Sequence, residues 1–251
     1  MHHLTRTALS LAFCALTGAA AAAEREVRDM SPFTEINLHL PATVTLVQDG
    51  NHQVEIEADE DVIDRIESDV DGDRLVIKLE NSWFNWGDAD DDIELRISFA
   101  DLTAVNVHGS SDVEAENLAL DTFAANIKGS GSITLDEVSA ETLSISISGT
   151  GDVEIESLDA DSVVTVIRGS GNVELAGHAN DLEATIQGSG DLTTDGLKTE
   201  VVSVVINGSG DARVHAASTL DAIVRGSGDI RYDGAAEVTQ QIFGSGDVTE
   251  M

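Results

Sequence analysis

Apolar and polar residues alternate strictly over short runs in the second half of the chain. In residues 143–155 one side of the alternation carries only apolar or small residues: Leu143, Ile145, Ile147, Gly149, Gly151, Val153 and Ile155. The other side is polar: Ser146, Ser148, Thr150, Asp152 and Glu154. A period of two is typical of a β-strand with one buried face. The pattern predicts two short strands, one on each side of a Gly-x-Gly.

This unit recurs through the chain. Gly-Ser-Gly-Asp or a close variant begins at eight positions, spaced 18 to 20 residues apart: Gly109, Gly129, Gly149, Gly169, Gly188, Gly208, Gly226 and Gly244. Short periods of this kind indicate a solenoid. An array of hairpins would also alternate, but it would not superpose equivalent residues of consecutive units. The sequence therefore predicts an all-β fold, a parallel β-helix of about eight coils in which Ile147 lies over Ile127 and Ile167.

Each coil needs corners. Glycine tolerates strained dihedral angles and leaves room for a close approach, so we expect both glycines of each motif to face inward at a turn. The structural corner residues are best defined in three coils: Gly149, Gly151, Asp152, Gly188, Gly190, Asp191, Gly208, Gly210 and Asp211. Polar stretches such as Ser157–Ser162 and Ala176–Asp181 predict a second turn.

Residues 24–100 lack the repeat but keep a β pattern. Five strands are predicted: Phe33–Leu40, Thr43–Gln48, Gln53–Ala58, Arg74–Glu80 and Ile93–Phe99. Asp49-Gly50 and Asp71-Gly72 are hairpin signals, and Asp61–Glu67 has room for one or two helical turns. We expect this part to cap the repeats of residues 101–251 within one continuous domain.

The first 23 residues have the layout of a secretory signal peptide, with Arg6, an apolar run from Ala8 to Ala20, and small residues before Glu24. The only cysteine, Cys14, lies inside this segment, so the mature chain has no disulfide. No later stretch has the length and apolar character of a membrane span. We expect a periplasmic or secreted protein.

The chain is strongly acidic. Of its 13 basic residues Arg6 lies in the signal segment, so 12 remain against 47 acidic ones, a formal charge of −35. Such a charge disfavours nucleic acid and anionic lipid as partners. The acidic residues either keep the protein soluble or bind cations, and the sequence leaves both explanations of the charge open.

Acidic residues of the motif stack at equivalent corners. The column comprises Asp112, Asp152, Asp191, Asp211, Asp229 and Asp247, with Ser132 and Asn172 in the remaining coils. Two explanations are open: calcium relieves the repulsion between carboxylates, or each side chain accepts hydrogen bonds from the amides of its own turn. Lys128, Arg168 and Arg225 lie on the outer face, where they would partly neutralise the column. No cofactor is expected, with calcium as the alternative.

Residues 81–92 interrupt the strand pattern. They contain Trp83, Phe84 and Trp86, which we predict contact a ligand or partner, since aromatic side chains give rigid contact area. The alternative is that they cover the end of the rod. Asp88, Asp90 and Asp92 have the spacing of the first, third and fifth positions of an EF-hand loop. The glycine and glutamate of that loop are missing, and the three aspartates form a candidate metal site.

Catalytic motifs are not evident. The histidines after residue 23 are scattered, and none lies in a zinc or nucleophile motif. Asp152 and Glu154 form a carboxylate pair of the kind that cleaves polysaccharides. Equivalent carboxylates recur in most coils, however, which favours a structural role, so we expect no enzyme activity.

The repeated Gly-Ser-Gly-Asp-Val after Val/Ile strands, with Phe33-Thr-Glu-Ile-Asn-Leu, Val44-Thr-Leu-Val-Gln-Asp-Gly and Asp73-Arg-Leu-Val-Ile before it, resembles the bacterial putative auto-transporter adhesin head GIN domain family. The resemblance spans nearly the whole mature chain. It implies a secreted β-helical domain and brings no catalytic residues. The strong acidity and the tryptophan-aspartate insertion depart from the family pattern.

These observations favour a non-enzymatic protein that presents a binding surface to a polysaccharide or an envelope protein. Two alternatives remain: a polysaccharide-degrading enzyme, and a structural spacer that self-associates through the terminal coil near Phe243 and Val248.

Overall fold

The computed structural model describes residues 23–80 and 93–251. The fold is all-β, with 73% strand and 2% helix, and forms a β-solenoid of about seven turns. The predicted fold class is confirmed, and the number of turns is slightly smaller than the eight expected.

The elements follow the chain in a simple order. The first part contains Glu24–Asp29 (β1), Glu35–His39 (β2), Thr43–Gln48 (β3), Gln53–Ala58 (β4), Glu60–Ile63 (α1), Ile66–Asp71 (β5), Arg74–Leu79 (β6) and Glu94–Phe99 (β7). The repeats contain Ala104–Gly109 (β8), Asp112–Gly129 (β9), Ser132–Gly149 (β10), Asp152–Gly169 (β11), Val173–Gly188 (β12), Leu192–Thr194 (β13), Leu197–Gly208 (β14), Ala212–His215 (β15), Thr219–Gly226 (β16), Ile230–Asp233 (β17), Glu237–Gly244 (β18) and Val248–Glu250 (β19).

Consecutive coils stack in parallel register. Ile147 lies opposite Ile127 on one side and Ile167 on the other, as predicted. The same ladder continues into the N-terminal part, where Leu38 of β2 lies opposite both Ile77 of β6 and Val107 of β8. The buried residues form one continuous hydrophobic core along the solenoid.

All five strands predicted before the repeats exist, and the helical turn lies at Glu60–Ile63. The Asp71-Gly72 hairpin is confirmed, because β5 and β6 pair antiparallel with Asp71 opposite Arg74. The prediction of a hairpin at Asp49-Gly50 was wrong. Gly50 does turn the chain, with φ of 86°, but β3 and β4 lie on opposite sides of β7, parallel and antiparallel to it respectively.

Two strands were not predicted. β1 has a single apolar residue, Val27, and pairs antiparallel with β4 at the edge of the sheet. β5 is rich in acidic residues and completes the hairpin with β6. Edge strands with charged side chains resist pairing with other chains. Their polar composition hid them from a pattern based on apolar residues.

Each regular coil has three sides. In β10 the buried pairs Ile133/Leu135 and Val138/Ala140, and the buried run that starts at Leu143, are separated by two exposed residues each time. The predicted single polar turn at Ser157–Ser162 was therefore wrong. That stretch contains buried Leu158 and Ala160 and forms a short side between two corners. Ala176–Asp181 likewise contains buried Ala179. At each of these corners two successive residues point outward, which shifts the alternation by one position. The inward residues of the short side are therefore out of phase with those of the other two sides.

The two glycines of each corner serve different contacts. Gly149 has φ of 143°, and a Cβ there would lie 2.2 Å from the carbonyl oxygen of Gly129 in the preceding coil. A Cβ on Gly151 would lie 2.7 Å from Cγ2 of Ile127 in the core. Only the second glycine is buried, so the prediction that both face inward was wrong for the first. The same division holds at the two other defined corners, Gly188/Gly190 and Gly208/Gly210.

Candidate binding face

The aromatic residues Trp83, Phe84 and Trp86, and the acidic residues Asp88, Asp90 and Asp92, lie outside the described residues. Their roles in contact and metal binding stay predictions.

The corner aspartates connect neighbouring coils. The Oδ1 atom of Asp152 accepts a hydrogen bond from the backbone N–H of Asn172, at 2.8 Å. In the same way Asp191 accepts from the N–H of Asp211 at 2.7 Å, and Asp211 from the N–H of Asp229 at 2.8 Å. The prediction that each aspartate accepts hydrogen bonds from the amides of its own turn was therefore wrong. Each carboxylate accepts a hydrogen bond from a backbone N–H of the next coil. Asn172 fits the column because its Oδ1 accepts from the N–H of Asp191.

This arrangement gives the column a structural use. Within residues 23–80 and 93–251, no group of three or more His, Cys, Asp or Glu side chains is placed to hold a metal ion. Calcium binding stays an untested prediction. A thermal melt with added calcium and with chelator tests it, because a bound ion would raise the melting temperature.

One side of the solenoid has an unusual outward composition. We call it the binding face: the outward residues that precede the glycine corner in β8, β9, β10 and β11. They are Ala104, Asn106, His108, Ala124, Asn126, Lys128, Ser144, Ser146, Ser148, Val164, Val166 and Arg168. None of them is acidic. The side that follows the corner, by contrast, carries outward carboxylates such as Asp152 and Glu154 in most coils.

A groove of about 170 Å³ lies on this face. Its polar lining comes from Asn106, His108, Asn126, Lys128, Ser146 and Ser148. The amide of Asn126 donates to the Oδ1 atom of Asn106 in the adjacent strand, at 3.0 Å. The stacked strands thus align amide, hydroxyl and imidazole groups, which both donate and accept hydrogen bonds.

A column of basic groups follows the edge of the face next to the corner. Lys78, His39, His108 and Lys128 occupy equivalent positions in β6, β2, β8 and β9. The rings of His39 and His108 stack with their centroids 4.4 Å apart and their planes 5° from parallel. Further along, Arg168 and Arg225 occupy the same column.

The two histidines are biased towards the neutral form. Burial lowers the pKa of His39, and the charge of Lys78 lowers it further. Burial also lowers the pKa of His108, with smaller contributions from His39 and Lys128. Both imidazoles are therefore neutral at neutral pH and gain charge on acidification.

Among the described residues, the expected neutralisation of the aspartate column by Lys128, Arg168 and Arg225 is not seen. Arg231 instead pairs with Asp229 at 3.3 Å and with Asp211 at 4.0 Å. In the part of the chain that the structure describes, neither Lys128 nor Arg168 forms an ion pair. The corners that follow them carry Ser132 and Asn172, the two positions of the column without aspartate. Arg225 lies over the ring of Phe243, 5.7 Å from its centroid. The cations of the binding face thus serve no evident structural pair.

Sequence reasoning found Lys128 and Arg168 but missed the face itself. His39 and His108 are 69 residues apart, and their contact depends on the pairing of β2 with β8. The one available signal was the equivalent position of His108 and Lys128 before successive glycine corners.

Stacked coils with paired corner glycines and a hydrogen-bonded aspartate column define the protein as a parallel β-solenoid. The chain belongs to the family described as putative auto-transporter adhesin, head GIN domain, which matches residues 32–236. No curated protein matches the sequence.

Three solved structures share the fold. A putative lipid binding protein from Parabacteroides distasonis has 23% identity and a TM-score of 0.84, covering 92% of this chain and 97% of its own. A putative adhesin from Parabacteroides merdae has 22% identity and a TM-score of 0.83, with 92% and 96% covered. A putative adhesin from Bacteroides fragilis has 20% identity and a TM-score of 0.71, with 92% and 98% covered. At this identity the likeness establishes the fold alone.

Helical content is minimal. Among residues 23–80 and 93–251, no helix has the length and apolar character needed to span a membrane.

Proposed function

We propose that this protein is a non-enzymatic binding module of the bacterial envelope, periplasmic or secreted, that presents the binding face to a polysaccharide or to an envelope protein. The observation that carries the proposal is a face without carboxylates on a chain with 47 acidic residues. The adhesin description of the family, and the binding role named for two of the similar structures, support it.

The face suits recognition of an extended partner. Its side chains are held on parallel strands whose inward neighbours are fully buried, such as Ile127 and Ile147. A rigid surface loses little conformational freedom on binding, which favours affinity. The aligned amides and hydroxyls match the hydroxyl groups of a polysaccharide, and they equally match exposed backbone of a protein.

A pair of matched variants tests whether this face is used. Ser146→Glu places a carboxylate in the lining of the groove, and Thr134→Glu adds the same charge on the side beyond the corner. We expect Ser146→Glu to weaken binding of purified envelope polysaccharides or envelope proteins by about tenfold or more, equivalent to about 1.4 kcal/mol. Thr134→Glu should leave it unchanged. Equal effects from the two variants, or no binding by the unaltered protein, would contradict the proposal.

The tryptophan segment supplies a separate test. Trp83 and Trp86 are the only tryptophans of the chain, so their emission reports directly on that segment. We propose that they contact the ligand, and expect bound polysaccharide to change the emission. Trp83→Ala and Trp86→Ala should each lower the affinity. An unchanged affinity in both would remove the aromatic residues from the site and leave the binding face in place.

The enzymatic alternative is less well supported. Asp152, the acid of the candidate carboxylate pair, accepts hydrogen bonds from both the backbone and the side-chain amide of Asn172. Product release from a panel of acidic and neutral polysaccharides tests it, and the absence of products across the panel would retire it.

Self-association is favoured by one observation. Ile242 and Phe243 of β18 are 39% and 60% exposed, an unusual exposure for large apolar side chains in this chain. Light scattering over a range of protein concentrations tests the spacer alternative, and a constant monomeric mass would exclude it.

A further inference from the structure

We propose that the groove on the binding face recognises the anionic groups of an extended acidic polysaccharide, one that carries carboxylates or sulfates. The chain would lie along the solenoid axis, across β8, β9, β10 and β11. This inference rests on the proposed function and names the class of ligand for that surface.

The charges of the face carry the first step. Lys128 lines the groove, and Arg168 occupies the equivalent position two strands further along. Both side chains are exposed, and neither forms an ion pair within the described residues. Cations placed on strands are preorganised for carboxylate or sulfate groups, which they bind through charge-assisted hydrogen bonds.

The net negative charge of the protein does not prevent an anionic ligand from binding at this face. At physiological ionic strength, charges more than about 8 Å apart are largely screened. A ligand on the face therefore responds mainly to the groups nearest to it, and the outward positions of the binding face itself hold no carboxylate. The carboxylates that flank it are Glu35, opposite Ala104 and paired with Arg74, and Glu183, opposite Val164. The acidic remainder of the surface instead limits binding of polyanions elsewhere on the rod.

The groove also favours a saccharide over other polyanions. Asn106, Asn126, Ser146 and Ser148 supply neutral donors and acceptors beside the cations. Hydroxyl groups of sugar rings satisfy such a lining, whereas a polyanion that has no hydrogen-bond donors leaves the acceptor groups of the lining unpaired. Unpaired polar groups that are desolvated on binding cost affinity.

The histidine pair adds a dependence on pH. His39 and His108 are stacked between Lys78 on β6 and Lys128 on β9, and Lys78 is itself paired with Glu67 at 2.8 Å. An anion in the groove beside His108 favours the protonated ring, so binding takes up protons. By linkage, affinity for an acidic polysaccharide rises as the pH falls below neutrality, until both rings are charged.

Two double variants with the same change in net charge test the proposal. Lys128→Gln with Arg168→Gln removes the cations of the face, and Lys198→Gln with Arg213→Gln removes two exposed cations from other parts of the rod. Polygalacturonate and dextran sulfate serve as acidic probes, dextran as the neutral probe and polyphosphate as the polyanion without sugars. Affinities are measured by biolayer interferometry at fixed ionic strength, and melting temperatures confirm that the variants fold.

The unaltered protein should bind at least one acidic polysaccharide more tightly than dextran or polyphosphate. The variant without the face cations should lose about tenfold or more in affinity, and the control variant should keep it. Affinity should rise between pH 7.5 and 5.5, and His108→Gln should reduce that rise.

Each contrary outcome overturns the inference. Equal binding of dextran and the acidic probes would overturn it but support a polysaccharide-binding module. Equal losses in the two double variants would assign the effect to net charge alone. Equal binding of polyphosphate would exclude recognition of the saccharide. Binding of an envelope protein without any polysaccharide would overturn the inference and keep the proposed function, whereas no binding of either class would overturn both.

Discussion

Single glycines decide whether the coils can approach one another. Gly149 combines φ of 143° with a Cβ position 2.2 Å from the backbone oxygen of Gly129. Gly149→Ala should therefore lower the free energy of unfolding by about 3 kcal/mol or more, through dihedral strain and a backbone clash together. Gly50 provides the matched control, since its φ is 86° but nothing lies within 4 Å of a Cβ there. Gly50→Ala should cost only about 1 kcal/mol. Urea unfolding measures both, and equal costs would refute the role of the close approach.

One core position carries a polar group without a partner. Thr165 is 1% exposed, and its hydroxyl forms no hydrogen bond with any of residues 23–80 and 93–251. Thr165→Val should raise the free energy of unfolding by about 1 kcal/mol, because it replaces a buried unsatisfied hydroxyl with a methyl group. Thr194 is also buried, but its hydroxyl donates to the carbonyl oxygen of Arg213 at 3.2 Å. Thr194→Val should destabilise the protein, so a gain in both variants would show that burial alone sets the outcome.

At the scale of the element, the aspartate column joins one coil to the next. Asp191→Ala removes the acceptor for the N–H of Asp211 and should cost about 1.5 kcal/mol, the usual contribution of a hydrogen bond to a charged group. Asp191→Asn keeps a side-chain oxygen there, as Asn172 does in the neighbouring coil, and should cost less. Thermal unfolding monitored by circular dichroism compares the two. If Asp191→Asn lowers stability as much as Asp191→Ala, the charge of Asp191 stabilises the protein and the hydrogen bond to the N–H of Asp211 does not.

Which elements the sequence predicts depends on how local their signals are. The strands before the repeats and the Asp71-Gly72 hairpin have contiguous signals, and the repeat period predicts the register of Ile147 with its neighbours. The separation of β3 from β4 by β7 has no local signal, because β7 begins at Glu94, 41 residues after β4 begins at Gln53. The third side of each coil was missed because its alternation is out of phase. For the site, the sequence identified single cations, whereas the face depends on register between distant strands.

At the scale of the whole molecule, the stacked histidines His39 and His108 give stability a pH dependence opposite to that of the carboxylates. The formal net charge is −34, so acidification relieves repulsion as carboxylates are protonated, mostly below pH 5. His39 and His108 act in the opposite direction and at higher pH. Their pKa values are lower in the folded protein than in the unfolded chain, so the unfolded state binds more protons in that range. The stability that the neutral histidines contribute is complete above the unfolded pKa of about 6.5 and is lost as the pH falls towards the folded pKa.

The opposing effects of the histidines and the carboxylates predict a measurable change in the slope of melting temperature against pH. Between pH 7.5 and 5.5, the melting temperature of the protein should fall relative to that of a His39→Gln/His108→Gln variant. The comparison uses the slope because loss of the stacked rings changes stability at every pH. His178→Gln is the control, since that histidine lies in β12 away from the basic column, and it should follow the unaltered protein. If the double variant keeps the same slope, the histidine pair does not titrate in this range, and the pH dependence of binding must come from other groups.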